Sequence, residues 1–326
     1  MNTTILIDGN NLCYRCCSTM GQLSTKSGIK TGGIFGSLNC ISNYITDIEK
    51  LVGSPVTECV VAFDHGRSER RLKLYPEYKG TRKTADERTP EEKEFFDALI
   101  NQTSELNKNL YLVGVKTIQI TGWEADDLIY GMIRQSLIER SDEENQFVII
   151  SSDEDFLQLI DENTSVYSPI KKIFYTYENF EELFGCKPEY FIGYKILKGD
   201  SSDNIHGING IGDITGKKLV NEYGGLVGIL NPANAEQLKK SKVSARILTP
   251  DGLSTIQRNN ELINLKEFVD FTDIEEQLSD VVYDSPSVDE KGTREFLMKY
   301  QLSSILVKFK EWIRPFKNLV ENYYSS

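Results

Sequence analysis

Short apolar runs and amphipathic stretches follow one another in a regular order along the chain. Residues 4–7 are apolar and predict a buried strand that stops at Asp8. After the turn Gly9-Asn10-Asn11, Leu12, Cys13, Cys16 and Cys17 recur at helical spacing. Residues 18–33, rich in Ser, Thr and Gly, read as a loop. Over 36–51, Leu38, Ile41, Tyr44, Ile45 and Ile48 make one helical face. Residues 58–64 predict a second strand, which also ends in an aspartate, Asp64. Thr89-Pro90-Glu91-Glu92 starts a helix with a Thr cap, an early Pro and acids at its positive end. That helix runs to about Asn107.

Alternation over 113–120 predicts a third strand, and Glu124-Ala125-Asp126-Asp127 opens the next helix. Glu124 and Asp127 share a face there, while Asp126 points elsewhere in a regular first turn. Val148-Ile149-Ile150 is a fourth strand, followed by the acidic turn Asp153-Glu154-Asp155 and apolar positions that suit a helix. Residues 165–168 and 173–177 predict a hairpin around Lys171-Lys172. This alternation predicts an α/β fold with a mostly parallel sheet flanked by helices. From about Tyr177 the composition changes. Residues 188–197 are helical, a polar loop carries Asp200 and Asp203, and a glycine segment, 207–212, precedes a helix with Lys217 and Lys218. Beyond 224 the pattern is helical, with a linker over 285–291 and a helical tail, 294–323, containing Trp312. The expected divisions are 1–185, 186–270 and 271–326.

The 326 residues, 39% of them hydrophobic, suffice for one large or two modest domains. No apolar run approaches the roughly 18 residues of a membrane span, and the start lacks the basic region of a signal peptide. A cytoplasmic protein, monomeric and without a membrane partner, is expected. Cys13 and Cys16 have zinc-like spacing, but no second pair follows and the histidines are only His65 and His206, which favours buried thiols. The net charge of −12 argues against nucleic acid when taken alone. Its distribution changes that picture. Residues 65–88 hold eight Lys or Arg against four Asp or Glu, with Tyr75 and Tyr78 interleaved. Arg67, Arg70, Arg71, Lys73, Lys79, Arg82, Lys83 and Arg88 suit phosphates, and the tyrosines suit unpaired bases; a solvated charged surface is the plain alternative.

Nine carboxylates fall at strand ends or loops: Asp8, Asp64, Glu124, Asp126, Asp127, Asp153, Asp155, Asp200 and Asp203. Singly, several would pass as helix caps. In one parallel sheet at least seven meet at one edge, and their repulsion requires cations. Oxygen ligands without His or Cys select Mg²⁺ or Mn²⁺ over Zn²⁺, and two such ions serve phosphodiester hydrolysis. Rival motifs fail on detail. Gln158 stands where a calcium loop needs Gly, and Gly216 comes one residue late for a dinucleotide fingerprint. A P-loop fails at Ile211 and at Lys218. The amides of Gly207, Gly210 and Gly212 can meet a phosphate before a helix N-terminus, although an interhelical turn would use the same glycines.

Six segments, in this order, resemble the 5′-nuclease family of 5′→3′ exonucleases and flap endonucleases. They are Leu6-Ile7-Asp8-Gly9-Asn10, Val61-Ala62-Phe63-Asp64, Pro76-Glu77-Tyr78-Lys79-Gly80-Thr81-Arg82, Glu124-Ala125-Asp126-Asp127, Ser152-Asp153-Glu154-Asp155-Phe156, and Lys198-Gly199-Asp200-Ser201-Ser202-Asp203-Asn204-Ile205 with Gly207-Ile208-Asn209-Gly210-Ile211-Gly212. Length without a polymerase is similar to the phage members, including a ribonuclease H that removes RNA primers. The resemblance implies a PIN-like core, a helix–three-turn–helix duplex-binding element and an arch near 67–105 that threads a 5′ strand. It implies two Mg²⁺ sites, Mn²⁺ substituting. Asp64, Glu124, Asp126 and Asp153 match the tighter site, and Asp155, Asp200 and Asp203 the second. Asp153 is a candidate bridge, and Asp8 and Asp127 orient ligands. Lys79 matches the family's catalytic lysine, with Arg71, or Arg70, as its companion. K⁺ at the glycine loop is also implied. Expected partners are flapped or nicked DNA, RNA–DNA hybrid, and a single-stranded DNA-binding or other replication protein at the tail. The competing functions are a non-catalytic branched-DNA binder and a PIN-type single-strand ribonuclease.

Overall fold

The computed structural model describes residues 2–140 and 145–326. At its centre are six strands: β1 (Asn2–Asp8), β2 (Val56–Ala62), β3 (Lys116–Ile118), β4 (Asn145–Ile150), β5 (Thr164–Ser168) and β6 (Ile173–Tyr175). Their order is β3-β2-β1-β4-β5-β6, parallel except for β6, which pairs antiparallel with β5. Side chains alternate between two cores. Ile5, Ile7, Cys59, Val61, Val148 and Ile150 enter one, and Leu6, Val60, Phe147 and Ile149 the other. Both faces are covered, which is why the strands read as unbroken apolar runs.

Among the described residues, five α-helices precede β4: α1 (Gly9–Met20), α2 (Gly32–Val52), α3 (Glu69–Leu74), α4 (Pro90–Asn109) and α5 (Ala125–Glu139). Helix α4 begins with a closed capping box between Thr89 and Glu92, as its sequence predicts. The third strand is shorter than its alternation predicts. Residues 110–112 make a 3-10 turn, and Gly114 donates back to the Tyr111 carbonyl at φ +73°, so only Lys116–Ile118 reach the sheet. The segment after Asp153 is also tighter than expected, a 3-10 helix over Glu154–Leu159.

The second half begins with α6 (Phe180–Phe184), α7 (Pro188–Lys198) and α8 (Asp213–Tyr223). Between α7 and α8, Gly199–Asp200 pairs antiparallel with Ile205–His206. A Cβ on Gly207 would lie 2.1 Å from the Lys198 carbonyl oxygen. The missing side chain lets the loop fold back on α7 and holds Asp200 and Asp203 at the sheet edge.

The predicted tail is part of the core. Residues 284–289 join the helix Glu275–Tyr283 to the helix Glu290–Lys299, and Val288 bridges Val113. Phe309, Ile313, Phe316 and Leu319 are buried with α2 and β2, and Trp312 packs between Phe309 and Phe316. The aromatic and apolar signal that favoured partner docking is therefore spent on packing. Leu319→Ala is expected to cost about 2–5 kcal/mol, the usual range for a fully buried leucine. Exposed Val307→Ala should be near neutral. A loss of unfolding free energy below about 1 kcal/mol for Leu319→Ala in urea denaturation would show that this helix is dispensable to the fold. Among the described residues no helix is long and apolar enough to cross a membrane.

Candidate active site

Asp8 ends β1 and caps α1 by accepting from the Asn11 amide at 2.9 Å. Asp64 follows β2 and accepts from the Ala125 amide at 2.7 Å, which ties it to the start of α5. Glu124 precedes α5, while Asp126 and Asp127 lie in its first turn. Asp153 follows β4 and accepts from the Asp155 amide at 2.9 Å. Because β3, β2, β1 and β4 are adjacent and parallel, these carboxylates share one edge. Asp8, Asp64, Glu124, Asp126 and Asp153 border a cavity of about 460 Å³ that also takes in Lys79, Arg82, Asp155 and Asp203. Asp127 and Asp200 stand behind its wall.

Among the described residues, four side-chain cations, three of them enclosed and Arg82 exposed, divide the nine carboxylates unequally. Arg71, 2% exposed, donates to Glu124 at 2.7 Å, to Asp126 at 3.0 Å, and to both Asp127 oxygens at 2.8 and 2.9 Å. The Asp126 carboxylate thus turns toward the same partner as Glu124 and Asp127, contrary to the divergence expected of a regular turn. Lys79 donates to Glu124 at 2.8 Å and lies 3.8 Å from Asp203, which Arg82 also holds at 2.9 Å. Lys195, on α7, stands 2.6 Å from Asp155 and 2.5 Å from Asp200. Burial works against ionisation of Asp200, but Lys195 and Ser202 outweigh it and hold the group down at about 2.

Three carboxylates are left over. Among the described residues, no Lys or Arg comes within 4.0 Å of Asp8, Asp64 or Asp153. Burial, then Asp64, pushes Asp8 up to about 6. Burial, then Asp155, pushes Asp153 up to about 7. Burial raises Asp64 as well. Three under-compensated carboxylates on an open cavity fit a hard divalent cation, which would lower all three together. Ligand atoms of Glu124, Asp126 and Asp127 also lie within 4.8 Å of one another, though Arg71 already occupies that group. Nine negative charges against four positive leave about five, close to the charge of two divalent ions.

These shifts have a thermodynamic consequence. Asp8 and Asp153 hold protons more tightly folded than unfolded, so their contribution to stability is full below about pH 4. It is lost as pH rises through 6 and 7. Metal-free protein should therefore melt lower at pH 8 than at pH 5.5. Millimolar Mg²⁺ should raise Tm more at pH 8, by the equivalent of about 2.7 kcal/mol at a hundredfold excess over Kd. An equal Mg²⁺ effect at both pH values would contradict this assignment.

The predicted nucleic-acid contacts fall into two groups. Arg67, Lys73, Arg82 and Lys83 are exposed, Lys73 and Lys83 pairing with Glu69 and Glu92. Arg70 donates to the Glu261 carbonyl at 2.6 Å, and Tyr75 lies under Arg258 at 5.0 Å. Tyr78 is 2% exposed and donates toward Glu124 at 2.7 Å, so it orients a carboxylate and offers no face to a base. Arg71 is likewise enclosed, and Arg82 is the arginine that borders the cavity beside Lys79. In the glycine segment Gly210 and Gly212 are exposed, Gly207 is half-buried, and Lys218 is exposed midway along α8. Lys217 is held by Asp213 at 3.2 Å and covers the Phe184 ring. Lys195 was not singled out from sequence. Its signal was a lysine on the apolar face of α7, five residues before Asp200.

Residues 3–185 match the family model described as 5′-3′ exonuclease, N-terminal resolvase-like domain. The chain belongs to the 5′-3′ exonuclease family. Residues 186–289 match that family's C-terminal SAM fold. The 5′-3′ exonuclease of Buchnera aphidicola is 33% identical over 238 residues, covering 73% of this chain and 76% of the relative. DNA polymerase I of Mycobacterium tuberculosis is 30% identical over 269 residues, but the chain spans only 27% of that polymerase. The 5′-exonuclease of bacteriophage T5, solved with zinc, shares the fold at a TM-score of 0.66 and 23% identity, over 91% of this chain and 98% of that one. A eukaryotic junction-resolving enzyme binding potassium aligns at 0.57 with 14% identity, over 96% and 70%. The protein is accordingly a 5′-3′ exonuclease.

Proposed function

We propose that this exonuclease hydrolyses phosphodiesters near 5′ ends of flapped, nicked or RNA-primed DNA, as an exonuclease and a flap endonuclease of replication or repair. The observation that carries the reading is the cavity in which Asp8, Asp64 and Asp153 lack protein cations while Lys79 and Arg82 stand at its side. Two Mg²⁺ ions, replaceable by Mn²⁺, would supply an activated water and charge for the leaving oxygen. Asp8, Asp64, Asp126 and Asp153 are the residues we assign to the first, with Glu124 held in reserve by Lys79 and Arg71. Asp155 and Asp203 would hold the second, more weakly because Lys195 already pairs with Asp155 and Asp200. Lys79 and Arg82 are placed to hold the scissile phosphate. Arg71 and Tyr78 position Glu124, and Asp127 anchors Arg71. The exposed amides at Gly210 and Gly212, with Lys218, would grip the duplex backbone.

K⁺ at the glycine loop belongs to the same proposal, supported by the potassium-binding neighbour. Arg246 already donates to the Asn209 carbonyl at 2.6 Å, so the ion would share that loop with a guanidinium. Cytoplasmic location and action as a monomer are part of the reading. The deciding measurement is cleavage of a labelled 5′ flap with Mg²⁺ and with EDTA. Metal-dependent release of short 5′ products is expected. Binding without cleavage would favour the branched-DNA binder, and faster cleavage of plain single-stranded RNA the ribonuclease.

A further inference from the structure

A second chemically distinct group lies between α1 and α2, away from the carboxylate cavity. Cys40 borders a cleft of about 630 Å³ between α2 and residues 304–315, which shares no residue with that cavity. Cys40 is half-buried, whereas the other five thiols are buried, and all six are free. Cys16 of α1 lies against it. The two helices cross closely at Gly36, one turn before Cys40, where a Cβ would sit 2.9 Å from the Cys16 sulfur. The Cys16 thiol hydrogen-bonds Cys40, and Arg15 and Tyr44 complete the surroundings. Arg15 in turn donates to the Tyr44 hydroxyl. The Cys16 hydrogen bond, followed by the Arg15 charge, holds the Cys40 thiol below the ordinary thiol range despite burial. Cys16, the donor, is pushed up and stays protonated. A solvent-reachable thiolate beside a cation and a second thiol has the attributes of a peroxide-sensitive cysteine. Cys59, buried at 1% with no such neighbours, has none of them.

We propose that Cys40 is a peroxide-reactive thiol and that Cys16 resolves it, closing a disulfide between α1 and α2. The Cys40 thiolate attacks one oxygen of hydrogen peroxide, the O–O bond breaks, and hydroxide leaves, giving a sulfenic acid on Cys40. The Cys16 sulfur then attacks the Cys40 sulfur. The S–O bond breaks, and the sulfenic hydroxyl departs as water with the Cys16 proton. The two sulfurs lose two electrons and the peroxide gains them. The protonated state of Cys16 makes the second step the slower one, so the sulfenic acid should accumulate transiently.

The test uses the full chain at pH 7 with hydrogen peroxide, followed by thiol counting in denaturant and peptide mapping without reductant. The count should fall from six to four, with a Cys16–Cys40 cross-linked peptide. Cys40→Ser should lose thiols at least about tenfold more slowly, and Cys16→Ser should collect a dimedone adduct on Cys40. Arg15→Gln, which keeps both thiols, should slow the first step several-fold and serves if Cys40→Ser folds poorly. Reduced Cys40→Ser should cleave a flap at the unmodified rate, which separates this inference from the nuclease assignment. Loss of thiols at the same rate in Cys40→Ser, or first oxidation at another cysteine, overturns the proposal. A Cys40 sulfenic acid that never links to Cys16 overturns the resolving role.

Discussion

Asp153→Asn is expected to lower flap cleavage by at least about 10³-fold while the protein melts several degrees higher without metal. The first effect follows from the place of Asp153 on the cavity between Asp8 and Asp155, with no internal cation as partner. An amide cannot supply the anionic oxygen that a hard cation requires, and the loss falls on the chemical step. The second effect has the opposite sign for the same reason. At pH 8 the Asp153 carboxylate is charged at the expense of folding, since burial and Asp155 hold it up at about 7. A neutral isostere removes that penalty, which solvent screening of the exposed carboxylate and coupling to Asp155 keep below that of a fully buried charge. Duplex binding should persist, because the glycine segment and Lys218 are untouched. Differential scanning fluorimetry in EDTA and single-turnover cleavage in Mg²⁺ are the paired measurements. A variant that cleaves normally, or one that is less stable without metal, would falsify the assignment of Asp153.

Arg71→Ala should be the most damaging single change to stability, about 3–5 kcal/mol, and should abolish cleavage. Its guanidinium fork makes four bonds to Glu124, Asp126 and Asp127, and its Nε donates to the Leu262 carbonyl at 3.1 Å. Removal leaves Asp127 a buried anion without a cation and leaves Glu124 only Lys79 and Tyr78. Breaking a buried pair from one side costs far more than the pair contributes. Arg71→Lys should rescue little, because one ammonium cannot reproduce the two-pronged contact to Asp127. Adding Asp127→Asn to Arg71→Ala should recover part of the lost stability by removing one orphaned charge. Urea denaturation of the two singles and the double measures this coupling. Additive losses in the double would mean that the two groups do not meet in solution.

The mostly parallel sheet and the strand-end aspartates were legible because local features encode them. Apolar runs mark strands buried on both faces, and Asp8, Asp64 and Asp153 interrupt those runs at the sheet edge. The capping box at Thr89 is equally local. Elements that depend on distant partners were not legible. The aromatic spacing of Tyr75 and Tyr78 resembles a stacking surface, but Tyr78 is buried because Glu124 and Asp203, far along the chain, receive its hydroxyl. Trp312 has the look of a docking residue until α2 is seen beneath it.

The sequence by itself determined the family, the carboxylate inventory and the expectation that cations must balance it. Those are matters of residue type, order and spacing. Only the tertiary structure decided which carboxylates are already balanced. Arg71 lies more than fifty residues from Glu124, and Lys195 forty from Asp155, so their pairing depends on how α3 and α7 pack against the sheet edge. Electrostatic compensation acts through space, over a few ångströms. It leaves Asp8, Asp64 and Asp153 as the carboxylates without a cation of their own.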